Sequence, residues 1–481
     1  MGCVSILEFG ARAFELSATG DVPDSGADCT KAIQAAIDAC FSAGGGTVEV
    51  PAGCFLTGGI RLRSNVTLHL LKDACLVGSR DPEDYMGFLQ DTLEPLDACD
   101  RTDDVWVSVK ERKSYDFMKK PGGRWTNGLI RAIDAHDIAI IGEENSVIDG
   151  RDCYDERGEE EYRGPHGISL HRCERIRLSG YTVRNSANWA HAMFSCRDIK
   201  VERVTVLAGH DGIHLTGCDD TDIRDCHFYT GDDCVAGIDN IGLTVEGCEM
   251  NTACSAFRLG GTHIRIRRCH MFGPARYLFR GSLSLEEKIL GVQTPEENAD
   301  GAHLPGNKGE GASTEEGSCH RYNMLSAYTY YADFSRKIRE QPGDIVMEDC
   351  RIACVDRLVH YNFSGNEPWQ NNRPLHDIAF RRIQAEDVKL PLTVYGSPEE
   401  KVTFVMEDSL VSFAKDAGPD AFCWACNYEK LCLERVTIRN LHQSPVVLAW
   451  SEGPVLLEKV DVQSGVASVR RAERPFDCQC I

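Results

Sequence analysis

Apolar and polar residues alternate in short runs along this chain, and the runs recur at a fixed interval. Leu178, Val201, Ile223, Val245 and Ile266 fall 23, 22, 22 and 21 residues apart. Val183, Val206, Phe228, Met250 and Met271 keep the same spacings. Cysteines follow the beat as well: Cys173, Cys196 and Cys218 form one column, and Cys226, Cys248 and Cys269 form another. Within each unit the pattern has a period of two, as in Ile176-Arg-Leu178, Ile199-Lys-Val201 and Ile264-Arg-Ile266. That is the signature of strands with one face buried. β-Branched residues fill the runs, and Gly, Asn or Asp separate them.

No stretch between these strands is long enough for a crossover helix, which excludes a βαβ fold. A propeller blade needs about twice this period. An antiparallel sandwich accounts for strands but not for columns kept over five units. The pattern predicts an all-β fold, a right-handed parallel β-helix in which like residues stack from coil to coil. Flanking coils are expected at 65–70, 137–142, 344–347, 377–380, 401–404, 430–433 and 455–460. The whole chain, 1–481, then forms one domain. Its N-terminal cap lies at about 1–44, its coils at about 45–465 and its C-terminal tail at 466–481. Helical periodicity over Cys29–Cys40, with Asp28 as N-cap, predicts a helix closing the N-terminal end. The acidic, Gly-rich stretch 284–318 breaks the period and reads as a long loop.

The formal net charge of -22 argues against nucleic acid and anionic membranes as partners. It also requires any site for an anionic sugar to be locally basic. The opening MGCVSILEFGARAF has no basic n-region and no apolar h-region. Together with 23 cysteines, this predicts a cytoplasmic protein whose thiols are mostly free and act as small hydrophobes. Gly2 and Cys3 do not make a lipidation signal, because Ile6 stands where Ser or Thr is needed.

Asp211 and Asp233 are 22 residues apart, one coil, and Asp232 adjoins the second. Three carboxylates stacked on one face cannot all ionise easily, so one keeps its proton near neutral pH and an acid and a base coexist. Aspartate is also an ordinary turn residue between strands. Trp189 and His191 precede this group by about one coil and suit either sugar stacking or the core. Tyr328-Thr-Tyr-Tyr331 offers the same choice between a subsite and packing. His210 and His214, ~13 Å apart in an extended segment, cannot share a metal ion. Cys423-Trp-Ala-Cys426 falls within the late coils and reads as core rather than as a redox or zinc site. No metal and no cofactor are expected.

The chain resembles glycoside hydrolase family 28, the polygalacturonases. The residues that carry the resemblance are FGA (9–11), TKAIQAAIDAC (30–40), GGGTVEVPAGCFLTGGIRLRSNVTLHL (44–70), IDG (148–150) and NSANW (185–189). It is strongest at HDGIHLTGC (210–218) and YTGDDCVAG (229–237). It covers roughly the first 280 residues, and GDDC one coil after DG is its specific element. The resemblance implies an inverting glycosidase with Asp232 as general acid and with Asp211 and Asp233 activating water. Three departures stand out. Ser255, within Ala253–Phe257, occupies the place of the family's histidine. Leu278-Phe-Arg280 replaces its Arg-Ile-Lys element, and Gly209-His-Asp211 replaces Asn-Thr-Asp. Chemistry is kept while recognition is rebuilt, which points away from unmodified polygalacturonan.

His214, Ala236, Arg258 and Arg280 are each 22 apart. Alternation turns His214 and Arg258 outward, and Arg280 is expected one coil further on, so that the two arginines hold a carboxylate or bridge hydroxyls. The expected substrate is an imported oligosaccharide or small glycoside, attacked from its end in a site walled by 81–126 and 284–318. Two alternatives remain: a lyase on the same fold, with the aspartates holding Ca²⁺, and a carbohydrate-binding β-helix without turnover. The oligomeric state is open.

Overall fold

The computed structural model describes residues 2–14, 27–88, 126–280, 283–290, 324–332, 339–363, 373–442, 444–463 and 466–472. Its strands join one continuous parallel system with the right-handed β-helix architecture expected. Each coil contributes a strand to each of three faces. One face carries the register Leu68–Ile140–Leu178–Val201–Ile223–Val245–Ile266–Met347–Phe380–Met406–Leu433–Leu457. The flanking coils expected from the sequence therefore belong to the same ladder as the central ones. Strand Gly2–Ser5 pairs with Gly46–Val50 at one end of the solenoid, and Val469–Arg471 pairs with Val447–Ala449 near the other.

The 22-residue beat has a local cause. One corner of the coil places Gly180, Arg203, Asp225, Gly247, Arg268, Asp349, Arg382, Asp408, Arg435 and Lys459 at positive φ in successive turns. A tight corner needs the left-handed conformation, which Gly, Asn and Asp adopt most readily. Where arginine follows an aspartate corner, its guanidinium reaches that aspartate, as in Arg382–Asp349 at 2.6 Å and Arg435–Asp408 at 2.5 Å. Cys173, Cys196 and Cys218 stack with buried side chains, and Asn240 continues the column, its Oδ1 accepting from the Cys218 amide at 3.1 Å. The second cysteine column runs on to Cys350.

The helix Thr30–Ser42 covers the N-terminal end and buries Ile33, Ala36, Ile37 and Cys40. Its N-cap residue is Cys29 rather than Asp28; the Asp28 carboxylate accepts from the Thr30 amide at 2.9 Å. Within the stretch expected to be a loop, Leu285–Leu290 is helical; residues 291–323 lie outside the described set, as do 89–125 of the other expected wall.

Candidate active site

The face that bears the aspartates is built on an outward row. Arg61, Arg131, Ser169, Ala192, His214, Ala236, Arg258, Thr329, His360, Thr393 and Trp424 stand opposite one another in successive coils. Their neighbours Ile168, His191, Ile213, Val235, Phe257, Tyr328 and Val359 form the adjacent inward row. Just before these strands the chain turns a corner, and Asp211, Asp233 and Ser255 stack there. The Gly212 amide donates to the Asp233 carbonyl at 2.9 Å, and the Cys234 amide to the Ser255 carbonyl at 3.1 Å. One coil of 22 residues thus brings the two aspartates together.

Asp211 and Asp233 are buried and Asp232 is half-buried. Burial, and next the neighbouring charge of Asp232, hold both buried carboxyls well above the usual carboxylate range. Each is also tied to a group that favours the ionised form. His214 Nδ1 lies 2.8 Å from Asp211 Oδ2. Asp233 Oδ1 accepts from the Ser255 amide at 2.9 Å, and Arg258 Nη1 stands 3.8 Å from its Oδ2. Asp232 Oδ1 accepts from the Asp233 amide at 3.1 Å, and the Thr230 and Thr252 hydroxyls both donate to the Asp232 carbonyl. The site therefore holds three interacting carboxyls on a backbone fixed by its own coils. One oxygen each of Asp232 and Asp233 and the thiol of Cys254 lie within 4.8 Å of one another. A thiol among these donors does not suit Ca²⁺, which takes oxygen ligands.

Several expected site residues make contacts within the site itself. His214 points outward as expected, but it orients Asp211 and lies flat under Trp189, with ring centroids 3.6 Å apart and planes 1° apart. His191 is not a surface residue. It occupies the inward row, with Nδ1 3.0 Å from the Gly212 carbonyl oxygen and Nε2 3.1 Å from the Tyr181 hydroxyl, and burial lowers its pKa to about 4. Ser255 acts on Asp233 through its amide, while its hydroxyl meets that of Thr329 at 3.3 Å. Arg258 faces outward, its guanidinium 4.2 Å from the Tyr331 ring centroid. Tyr328 and Tyr330 pack in the core, which leaves Tyr331 as the member of that run beside the site.

Arg280 departs most from expectation. The chain leaves the solenoid after Phe272, and the next strand on the site face is Met324–Tyr330, so Thr329, not Arg280, follows Arg258 in the row. Arg280 turns back across the site, lies against Gly209 and forms a buried ion pair with Asp152 at 2.6 Å. A Cβ at position 209 would fall 2.5 Å from the Arg280 Cδ, which explains the glycine.

The sequence reading missed the turn that enters strand His166–His171. Glu159, Tyr162 and Arg163 rise from it on the N-terminal side of the aspartates. Arg163 is 3.0 Å from Glu160 and 3.7 Å from Glu159, and it donates to Asn188 Oδ1 at 3.2 Å. Its charge acts on both Asp211 and Asp232. The buried His210 stacks on Tyr162 with centroids 6.1 Å apart, and burial among these cations keeps its ring neutral. Lys288, from the short helix, sits 4.2 Å from the Tyr162 centroid. A turn carries no period, so only its position just before a site-bearing strand marked it.

Burial raises the pKa of Glu159 to about 7 despite the nearby Arg163. The folded protein then binds a proton there that the unfolded chain releases near pH 4.5. The associated stability is full below that pH and is lost as pH rises through about 7. Glu159→Gln should therefore flatten the fall in melting temperature between those pH values. An unchanged slope would show that Glu159 is ionised throughout.

A groove of about 300 Å³ opens on another face, among Arg265, Arg267, Asp344, Glu348 and Arg381. These close into ion pairs with one another or with Glu407 at 2.6–3.0 Å, and no aspartate of the site lines it.

Residues 100–253 match the model of glycosyl hydrolases family 28. A probable polygalacturonase of Vitis vinifera is 33% identical over 250 residues, 48% of this chain and 46% of that protein. An exopolygalacturonase of Zea mays is 23% identical over 273 residues, 52% of this chain and 55% of that protein. The chain thus spans about half the length of these relatives. Among solved structures, the hyperthermoactive exopolygalacturonase of Thermotoga maritima superposes with a TM-score of 0.61 at 17% identity, covering 91% of this chain and 92% of that one. The family 28 exopolygalacturonase of Yersinia enterocolitica gives 0.56 at 15%, covering 98% and 79%. At these identities the two structures support the fold.

Proposed function

We propose that the chain, whose residues 100–253 match the model of glycosyl hydrolases family 28, acts as a member of that family and hydrolyses a glycosidic bond in a pectin-derived or related plant oligosaccharide. The observation that carries the reading is the convergence of Asp211, Asp232 and Asp233 from successive coils onto one face. Asp232, the most exposed of the three, protonates the departing oxygen. Asp211, oriented by His214, takes the proton from the attacking water, and Asp233 supports it.

The chemistry proceeds with inversion. An inverting pair normally stands ~6.5–9.5 Å apart to admit water. Asp232 and Asp233 approach within 4.8 Å, so the water sits against Asp211 rather than between those two. The reaction removes units from a chain end, and the substrate differs from unmodified polygalacturonan. Two features support the second point: Ser255 occupies the family histidine's place, and Arg280 is engaged by Asp152. The buried thiol columns support a reducing, cytoplasmic setting.

A screen of pectin-derived and neutral plant oligosaccharides tests the reading. The expected result is stepwise release of a small saturated sugar from one end. An unsaturated product absorbing in the ultraviolet would indicate a lyase, and binding without turnover a non-catalytic module.

A further inference from the structure

Beyond the aspartates, the outward face of the site-bearing sheet changes character toward the C-terminal coils. Arg258 is followed in its row by Thr329, His360, Thr393 and Trp424. Two positions further along the strands, Tyr395 faces outward beside Cys426, and Trp450 follows in the next coil. The Trp450 ring meets Tyr395 edge-on at 5.8 Å and Trp424 at 6.5 Å. Both tryptophans are half-buried.

Polar groups frame the rings. Arg357 donates to Thr393 at 2.5 Å, lies 3.2 Å from His360 Nδ1 and stands 5.8 Å from the Trp424 centroid. Trp424 Nε1 donates to Asp420 at 2.9 Å. Trp450 Nε1 has no acceptor among the described residues, although an indole N–H so covered ordinarily finds one. These rings lie outside the coil, where Cys423, Ala425, Val447 and Ala449 already fill the interior.

We propose that Trp424, Trp450 and Tyr395 form a second carbohydrate-contacting platform, which receives the far end of an oligosaccharide whose near end lies at the aspartates. Five coil steps separate Ala236, in the coil of Asp233, from Trp424. At ~4.8 Å per step this is ~24 Å, the length of several sugar rings. The two regions belong to one continuous sheet, in which Thr329, His360 and Thr393 between them are buried. An aromatic ring with hydrogen-bonding groups at its edge suits a sugar, whose C–H face packs on the ring while its hydroxyls reach those groups. The inference rests on the aspartate site taking carbohydrate, and it adds that affinity grows with chain length.

The test uses Asp232→Asn protein, which holds substrate without turnover, titrated calorimetrically with trigalacturonate and octagalacturonate. The octamer should bind at least about tenfold more tightly, since a stacked ring contributes roughly 1.4 kcal/mol or more. Adding Trp424→Ala should remove that advantage and leave the trimer unchanged, whereas Trp424→Phe should keep most of it. Equal binding of the two oligomers, or an octamer advantage that survives Trp424→Ala, overturns the platform. Binding of neither oligomer by a protein that cleaves a sugar in the oligosaccharide screen overturns the platform alone, whereas a protein that neither binds these oligomers nor cleaves any sugar of the screen refutes the carbohydrate reading of the aspartate site as well.

Discussion

Asp232→Asn should abolish turnover almost completely while leaving the protein folded. General-acid catalysis contributes ~10²–10⁴ in rate, and an amide cannot supply the proton. Asn keeps the shape of Asp, so its carbonyl oxygen still accepts from the Asp233 amide, as Asp232 Oδ1 does at 3.1 Å. The backbone stays fixed, because Thr230 and Thr252 hold the carbonyl of residue 232 rather than its side chain. Asn also takes one of three interacting carboxyls out of the cluster, in which burial and then Asp232 raise the carboxyls of Asp211 and Asp233. The melting temperature should therefore hold or rise as the rate falls. A variant that keeps more than about a tenth of wild-type activity would exclude Asp232 as the acid.

Arg258→Ala should lower kcat/KM roughly ten- to a hundredfold, the range expected for a shielded charge-assisted contact. Its position 3.8 Å from Asp233 sets it beside the proposed chemistry as well as in the proposed substrate contact. Without this cation Asp233 holds its proton more tightly, so the acid limb of the pH–rate profile should move to higher pH. The loss should appear in both kcat and KM, because a purely uniform binding contact would raise KM alone. Arg258→Lys should restore the pH limb better than the affinity, since it returns the charge but not the planar fork that faces Tyr331. A profile that does not shift in Arg258→Ala would separate the arginine from Asp233 and leave it a substrate contact only.

How far the sequence could be read depended on periodicity. Columns such as Leu178–Val201–Ile223 revealed the fold because each coil returns to its starting face after a constant number of residues. The same count brought Asp211 and Asp233 together. It misplaced Arg280, because the chain leaves the solenoid after Phe272; a spacing of 22 then still holds in number but no longer in space. His191 was legible in principle. It stands opposite Ile213, which alternation already turned inward, and its Nδ1 lies 3.0 Å from the Gly212 carbonyl oxygen. Glu159, Tyr162 and Arg163 come from an aperiodic turn, and only folding reveals that they abut the site.

The stereochemistry of cleavage tests the central claim most directly. An α-linked galacturonide oligosaccharide mixed with the enzyme, and followed by NMR before mutarotation, reports which anomer is released first. If Asp232 protonates the leaving oxygen while Asp211 activates a water on the opposite face, the β-anomer appears first and its signal decays toward equilibrium. First appearance of the α-anomer would mean retention, with the close pair Asp232 and Asp233 working as acid and nucleophile, and would contradict the roles assigned here.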